Sequence, residues 1–159
     1  MSMEEKDNIV TRSILVKAPV DQVYNLWANF ENFPHFMKYI VSVAKTGERM
    51  SHWVMEGPLG KNIEWDAETT RMETNTRIAW NSLDTGDIKT SGQVTFNQLR
   101  EGDTEITVTL KYVPPMGKLG EIVARIFSDP EGQLEEDLRH FKAYAEGMHD
   151  RTAAPESAS

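Results

Sequence analysis

The chain of 159 residues contains no cysteine, which excludes disulfide staples, thiolate nucleophiles and thiolate metal sites together. It has no apolar run near the ~20 residues that a membrane-spanning helix needs. Its start, Met-Ser-Met-Glu-Glu-Lys-Asp, lacks the apolar stretch of a signal peptide. A cytoplasmic location without stable membrane insertion is therefore expected, and transient membrane contact stays compatible with it. Positive charge is also scarce: 17 Lys and Arg stand against 25 Asp and Glu, a net charge of −8. A phosphate backbone is bound by clustered cations, so no nucleic-acid partner is expected. His35, His52, His140 and His149 lack the close pairing of a metal site, so neither a metal nor a cofactor is expected. Gly57-Pro58-Leu59-Gly60 lacks the Lys-Ser/Thr ending of a phosphate loop and reads as a turn.

Tryptophan at strand spacing is what the chain does have. In 62–68, Asn-Ile-Glu-Trp-Asp-Ala-Glu, the residues i and i+2 share a face. Ile63, Trp65 and Ala67 fall on one side, while Glu64, Asp66 and Glu68 fall on the other. Three alternating carboxylates must meet water, so the tryptophan side is the buried one. Trp53, Met55, Ile78 and Trp80 have the parity to join it. Such a face is either solid core or the wall of an apolar pocket, and the pattern leaves both open.

The remaining pattern organises one domain, large enough to bury roughly 68–70% of its unfolded surface. Residues 8–17 read as a strand, and Pro19 with Asp21 starts a short amphipathic helix over 19–29, with Val20, Val23 and Trp27 on one stripe. A broken helical turn at 31–37 contains Pro34. Six strands then follow at about 38–47, 51–57, 61–72, 76–83, 88–99 and 104–113. Links as short as Asp84-Thr85-Gly86 and Glu101-Gly102-Asp103 make them an antiparallel meander. Pro114-Pro115 ends the sheet. Leu119, Ile122, Val123 and Ile126 form one helical stripe, and Leu134, Leu138, Phe141 and Ala145 form another. Asp129-Pro130 between them reads as a cap followed by a first-turn proline. The domain organisation expected is a lead at 1–7, one domain at 8–147 and a disordered tail at 148–159.

These residues carry a family likeness. The run Ala18-Pro19-Val20-x-x-Val23-Tyr24-x-x-Trp27-x-x-Phe30-x-x-Phe33-Pro34-x-Phe36-Met37 resembles the opening motif of the polyketide cyclase/dehydrase and START-like lipid-transfer superfamily. The strand Arg77-Ile78-Ala79-Trp80 and the helix Leu134-x-x-Asp137-Leu138-x-x-Phe141-Lys142 are similar to that family's later motifs. The branch that includes coenzyme Q-binding proteins is the most similar. The resemblance implies an α+β helix-grip fold: a seven-stranded curved antiparallel sheet around a long C-terminal helix, with two short helices after the first strand. It also implies a cavity between sheet and helix.

The candidate ligand-binding residues follow from both readings: Trp53, Met55, Trp65, Ala67, Arg71, Trp80, Phe96, Tyr112, Met116, Ile122 and Ile126. Tyr112 would supply a polar handle. Arg71 shares the parity of Trp65 and could reach a ligand oxygen, or lay its stem on the core with its head in water. His35, near the expected mouth, is the one histidine worth testing as an acid or base. Glu135-Glu136-Asp137 reads as a solvated helix face. No catalytic motif is present, so no catalytic residue is assigned. The partner expected is a hydrophobic small molecule such as a lipid, isoprenoid quinone or polyketide-like compound. Access is expected near Phe33–Met37, Pro114–Gly120 and Ser128–Pro130. The alternatives are a cyclase/dehydratase and an interaction module with a vestigial cavity. Oligomeric state is left open.

Overall fold

A computed structural model describes residues 8–57, 60–84, 86–113, 121 and 129–153. Strand β1 (Asn8–Val16) leads to helix α1 (Val20–Ala28) and a 3₁₀ helix (Phe30–His35). Strands β2 (Ile40–Lys45), β3 (Met50–Glu56), β4 (Asn62–Glu73), β5 (Arg77–Ser82), β6 (Lys89–Arg100) and β7 (Asp103–Val113) follow, and then helix α2 (Pro130–Ala153). The sheet order is β1-β7-β6-β5-β4-β3-β2, antiparallel throughout. The six later strands thus form the expected meander, and β1 closes on its last member.

Alternation sorts the faces as the sequence implies. Ile63, Trp65 and Ala67 of β4 are buried, as are Trp53 and Met55 of β3 and Ile78 and Trp80 of β5. Leu134, Leu138, Phe141 and Ala145 of α2 are buried with them. Full burial of one such side chain stabilises by about 1.5–3 kcal/mol, so the paired apolar faces are what hold helix to sheet. Trp27 of α1 is fully buried, with Phe33 at 5.2 Å and Phe141 at 5.0 Å between ring centroids. These contacts join α1, the 3₁₀ helix and α2 over one end of the sheet.

The ends of the elements have local causes. Asp129 caps α2, accepting a bond from the Gly132 N–H at 3.1 Å, and Pro130 takes the first helical position, where no N–H is needed. Arg12 of β1 ties the first two turns of α2 to the sheet through Glu135 at 2.9 Å and Glu131 at 3.1 Å. Pro19 stands one position earlier than expected, as the extended N-cap residue of α1. At the other end, α2 runs on to Ala153, so residues 148–153 of the expected tail are helical instead. The expected stripe Leu119, Ile122, Val123 and Ile126 lies outside the described residues, as does the loop at Pro114–Gly120.

One irregularity changes the reading of β4. Its register with β5 shifts between Thr69, opposite Trp80, and Arg71, opposite Ala79. The extra residue is a β-bulge, and it reverses parity beyond it.

Candidate functional site

Between α2 and the inner face of β3, β4 and β5, the packing leaves a cavity of about 110 Å³. Trp53, Trp65 and Trp80 wall it from the sheet, with Met55, Ile88, Thr90 and Leu110 beside them. Phe33, Met37, Tyr39 and Ile40 wall it from the 3₁₀ helix, β2 and the turn between them, and Gln133 and Asp137 from α2. Trp53 and Trp65 are register partners, and their rings stack at 5.9 Å with 12° between planes. Two glycines make this wall possible. A Cβ on Gly92 would lie 2.6 Å from the Trp80 ring and 2.9 Å from Leu110, so only glycine lets both side chains lie across β6. A Cβ on Gly86 would lie 2.5 Å from Cβ of Trp65. The loop before β6 therefore folds against β4, with Asp87 N–H donating to the Glu64 carbonyl at 2.9 Å and Ile88 turned inward.

One carboxyl meets this apolar space. Burial pushes Asp137 up from the usual carboxylate range to about 6, although the Gln133 amide donates to it at 2.9 Å and the Lys38 N–H at 3.3 Å. Desolvation disfavours the charged form, and these two donors offset it only in part. Asp137 can therefore hold or give a proton near neutral pH. The solvated-face reading of Glu135-Glu136-Asp137 holds for Glu135, which is exposed, and fails for Asp137. Asp137 lies three positions after Leu134 and four before Phe141, so the carboxyl flanks the buried stripe. Helical angle, rather than its acidic neighbours, was the signal that could have found it.

The structure sorts the other candidates. Trp53, Met55, Trp65 and Trp80 line the cavity. Ala67 is buried but lies farther along β4, between Ser51 and Ser82, away from the lining. Phe96 packs edge-on against Tyr24 at 5.3 Å and is core. Tyr112 is opposite Thr90, one rung beyond the cavity-lining Leu110, and partial burial raises its hydroxyl pKa. Arg71 is a correction: beyond the bulge it faces solvent and pairs with Glu73 at 3.0 Å. Met116, Ile122 and Ile126 lie outside the described residues. His35 is exposed and stacks on Tyr144 at 5.4 Å, rather than facing the cavity. His52 is on the outer face between Asp66 at 2.9 Å and Glu64 at 2.8 Å, which raise its pKa in that order.

Sequence alternation could also have found Leu110, which shares parity with the buried Ile106 and Val108, and Thr90, which shares it with Val94. Ile88 could not be found that way, because a loop fold places it.

No helix among the described residues is long and apolar enough to cross a membrane. Comparison with known proteins gives consistent relatives. An uncharacterised 17.2 kDa protein of Streptomyces lincolnensis, from the melC2-rnhH intergenic region, is 31% identical over 143 residues, 90% of this chain and 93% of that protein. A crystal structure from Deinococcus radiodurans is 32% identical with a TM-score of 0.72, covering 87% of this chain and 97% of that one. The Zhui aromatase/cyclase of Streptomyces sp. R1128 shares the fold at 17% identity with a TM-score of 0.69, over 93% of this chain and 97% of its own. The seven-stranded sheet, the long closing helix and a family model matching residues 16–139 agree: the chain belongs to the polyketide cyclase/dehydrase and lipid transport family.

Proposed function

We propose that the chain binds a hydrophobic small molecule carrying at least one oxygen, between the tryptophan wall and α2. The observation that carries this reading is an apolar cavity with one carboxyl in its lining, Asp137, whose pKa burial raises to about 6. Sites of this kind use apolar walls for affinity and a few polar groups for orientation. The protonated carboxyl would donate to a ligand carbonyl or hydroxyl, and the Gln133 side chain already holds Asp137 in place.

The cavity is smaller than the ~150 Å³ apolar space that accepts benzene. A quinone or lipid chain therefore needs side chains to move. Met37 and Met55 are the natural movers, because an unbranched thioether repacks at low cost. Native mass spectrometry with added decylubiquinone or oleate tests the reading: a 1:1 complex is expected, and it should weaken in Trp65→Ala. Absence of any complex with these probes would count against it.

A cyclase-type activity is the second reading, favoured by the same carboxyl. A proton donor held beside an apolar chamber suits enolisation or dehydration of a bound polyketone, with most of the rate coming from positioning. Turnover that Asp137→Asn abolishes while probe binding persists would separate catalysis from carriage. The likeness to coenzyme Q-binding proteins makes an isoprenoid quinone the first ligand to try.

A further inference from the structure

A second hollow of about 360 Å³ opens at the opposite end of β3 and β4, under the β2–β3 turn and the end of α1. It is larger than the tryptophan-walled cavity, and its volume falls in the ~300–1,000 Å³ range of small-molecule sites. Two hydroxyl residues, Ser51 and Thr69, form its floor and are 4% and 6% exposed. Ser51 Oγ accepts the Trp53 indole N–H at 2.8 Å, which leaves its own O–H free to donate. The Thr69 hydroxyl makes no hydrogen bond among the described residues and is open to the hollow, so it can bond to an occupant.

The walls point to the shape of the occupant. Phe30, Met50 and Met72 line the hollow together with the exposed Arg49. Arg49 is fixed there twice: its carbonyl accepts from Thr69 N–H at 2.8 Å, and its Nη1 donates to the Thr69 carbonyl at 3.3 Å. Thioether sulfurs and a guanidinium both favour an aromatic ring over an alkyl chain. The charged rim carries Lys45 and Arg49 against Glu31 and Glu48, so it selects no net charge. We propose that this cleft is a second binding site, distinct from the tryptophan-walled cavity, for a small uncharged hydroxylated aromatic. Its ring would lie among Phe30, Met50 and Met72, and its hydroxyl would bond to Ser51 and Thr69.

Titration of the ¹⁵N-labelled chain with 2-naphthol tests this. The amides of Arg49, Ser51 and Thr69 and the Trp53 indole N–H should shift together. Thr69→Val should weaken binding about two- to tenfold, the change expected for one lost hydrogen bond. Met72→Ala, at an exposed strand position, should weaken it without endangering the fold, and so keeps the test open if a floor variant does not fold. Saturation with decylubiquinone should leave 2-naphthol bound. Shifts confined to Ile88, Thr90 and Leu110, displacement by decylubiquinone, or no shift at millimolar 2-naphthol would each overturn the proposal. Decylubiquinone shifts at Leu110 and Ile88 report separately on the cavity, so failure of one site is distinguishable from failure of the other.

Discussion

The two hollows lie along the same pair of strands and differ in what the inner face offers. On β3 that face reads Ser51, Trp53, Met55, and on β4 it reads Ile63, Trp65, Ala67, Thr69. Toward α2 it is aromatic and apolar, with one carboxyl arriving from the helix. Toward the β2–β3 turn it changes to hydroxyls, with charge only at the rim. Trp53 belongs to both: its ring walls the cavity and its indole N–H serves the floor of the cleft. A single alternating face can therefore build two chemically different sites, because position along the strand selects the chemistry and parity selects only the side.

Removing the shared wall should have the largest effect. Trp53→Ala should cost about 3–5 kcal/mol in urea melts, as other large aromatic truncations do, and should weaken probes of both hollows. Loss of only one binding activity would show that the two are less connected than the Ser51 bond implies. Asp137→Asn comes next, and its sign can be worked out. The folded carboxyl titrates at about 6, above its ordinary value of 3.8, so the folded state binds the proton more tightly than the unfolded one. Its contribution to stability is present below about pH 4 and is lost as pH rises through about 6. Two units correspond to about 3 kcal/mol at most, less whatever water screens. The asparagine variant should thus be more stable at pH 7 and lack this slope, whereas an unchanged pH profile would deny the buried-carboxyl account. Quinone affinity should fall over the same pH window in the natural chain.

Ala67 lies between the hollows with no space around it, so Ala67→Leu should cost about 1–3 kcal/mol by overpacking. Gly92→Ala sharpens the contrast further. Its Cβ must push Trp80 or Leu110 into the cavity, so decylubiquinone should bind roughly tenfold more weakly while 2-naphthol binding holds. Equal loss for both probes would mean that the cleft depends on the cavity. The smallest effect belongs to Arg71→Ala, within about ±0.5 kcal/mol in melts and silent in binding, as for other exposed positions.

How much of this was legible in the sequence depended on whether a regular period carried the signal. The carboxylate alternation at Glu64, Asp66 and Glu68 oriented β4 and, by parity, the tryptophan wall. The apolar stripe at Leu134, Leu138, Phe141 and Ala145 oriented α2. Arg71 was misread because the bulge beyond Thr69 breaks the period, and nothing in the alternation announces an extra residue. Asp137 was hidden by its acidic neighbours, although its helical angle placed it beside Leu134 and Phe141. Ile88 depends on a loop clasped to Glu64, and the cleft depends on elements far apart in sequence meeting over Thr69. Periods reveal faces, whereas hollows arise where faces from different elements fail to meet.

The central claim concerns the tryptophans, and the chain has four of them. Incorporation of 5-fluorotryptophan gives one ¹⁹F resonance for each, assignable by single Trp→Phe variants. On addition of decylubiquinone, the resonances of Trp53, Trp65 and Trp80 should move, while that of Trp27, enclosed by Phe33, Phe36 and Phe141, should stay. Four unmoved resonances, or movement of Trp27 alone, would contradict the account.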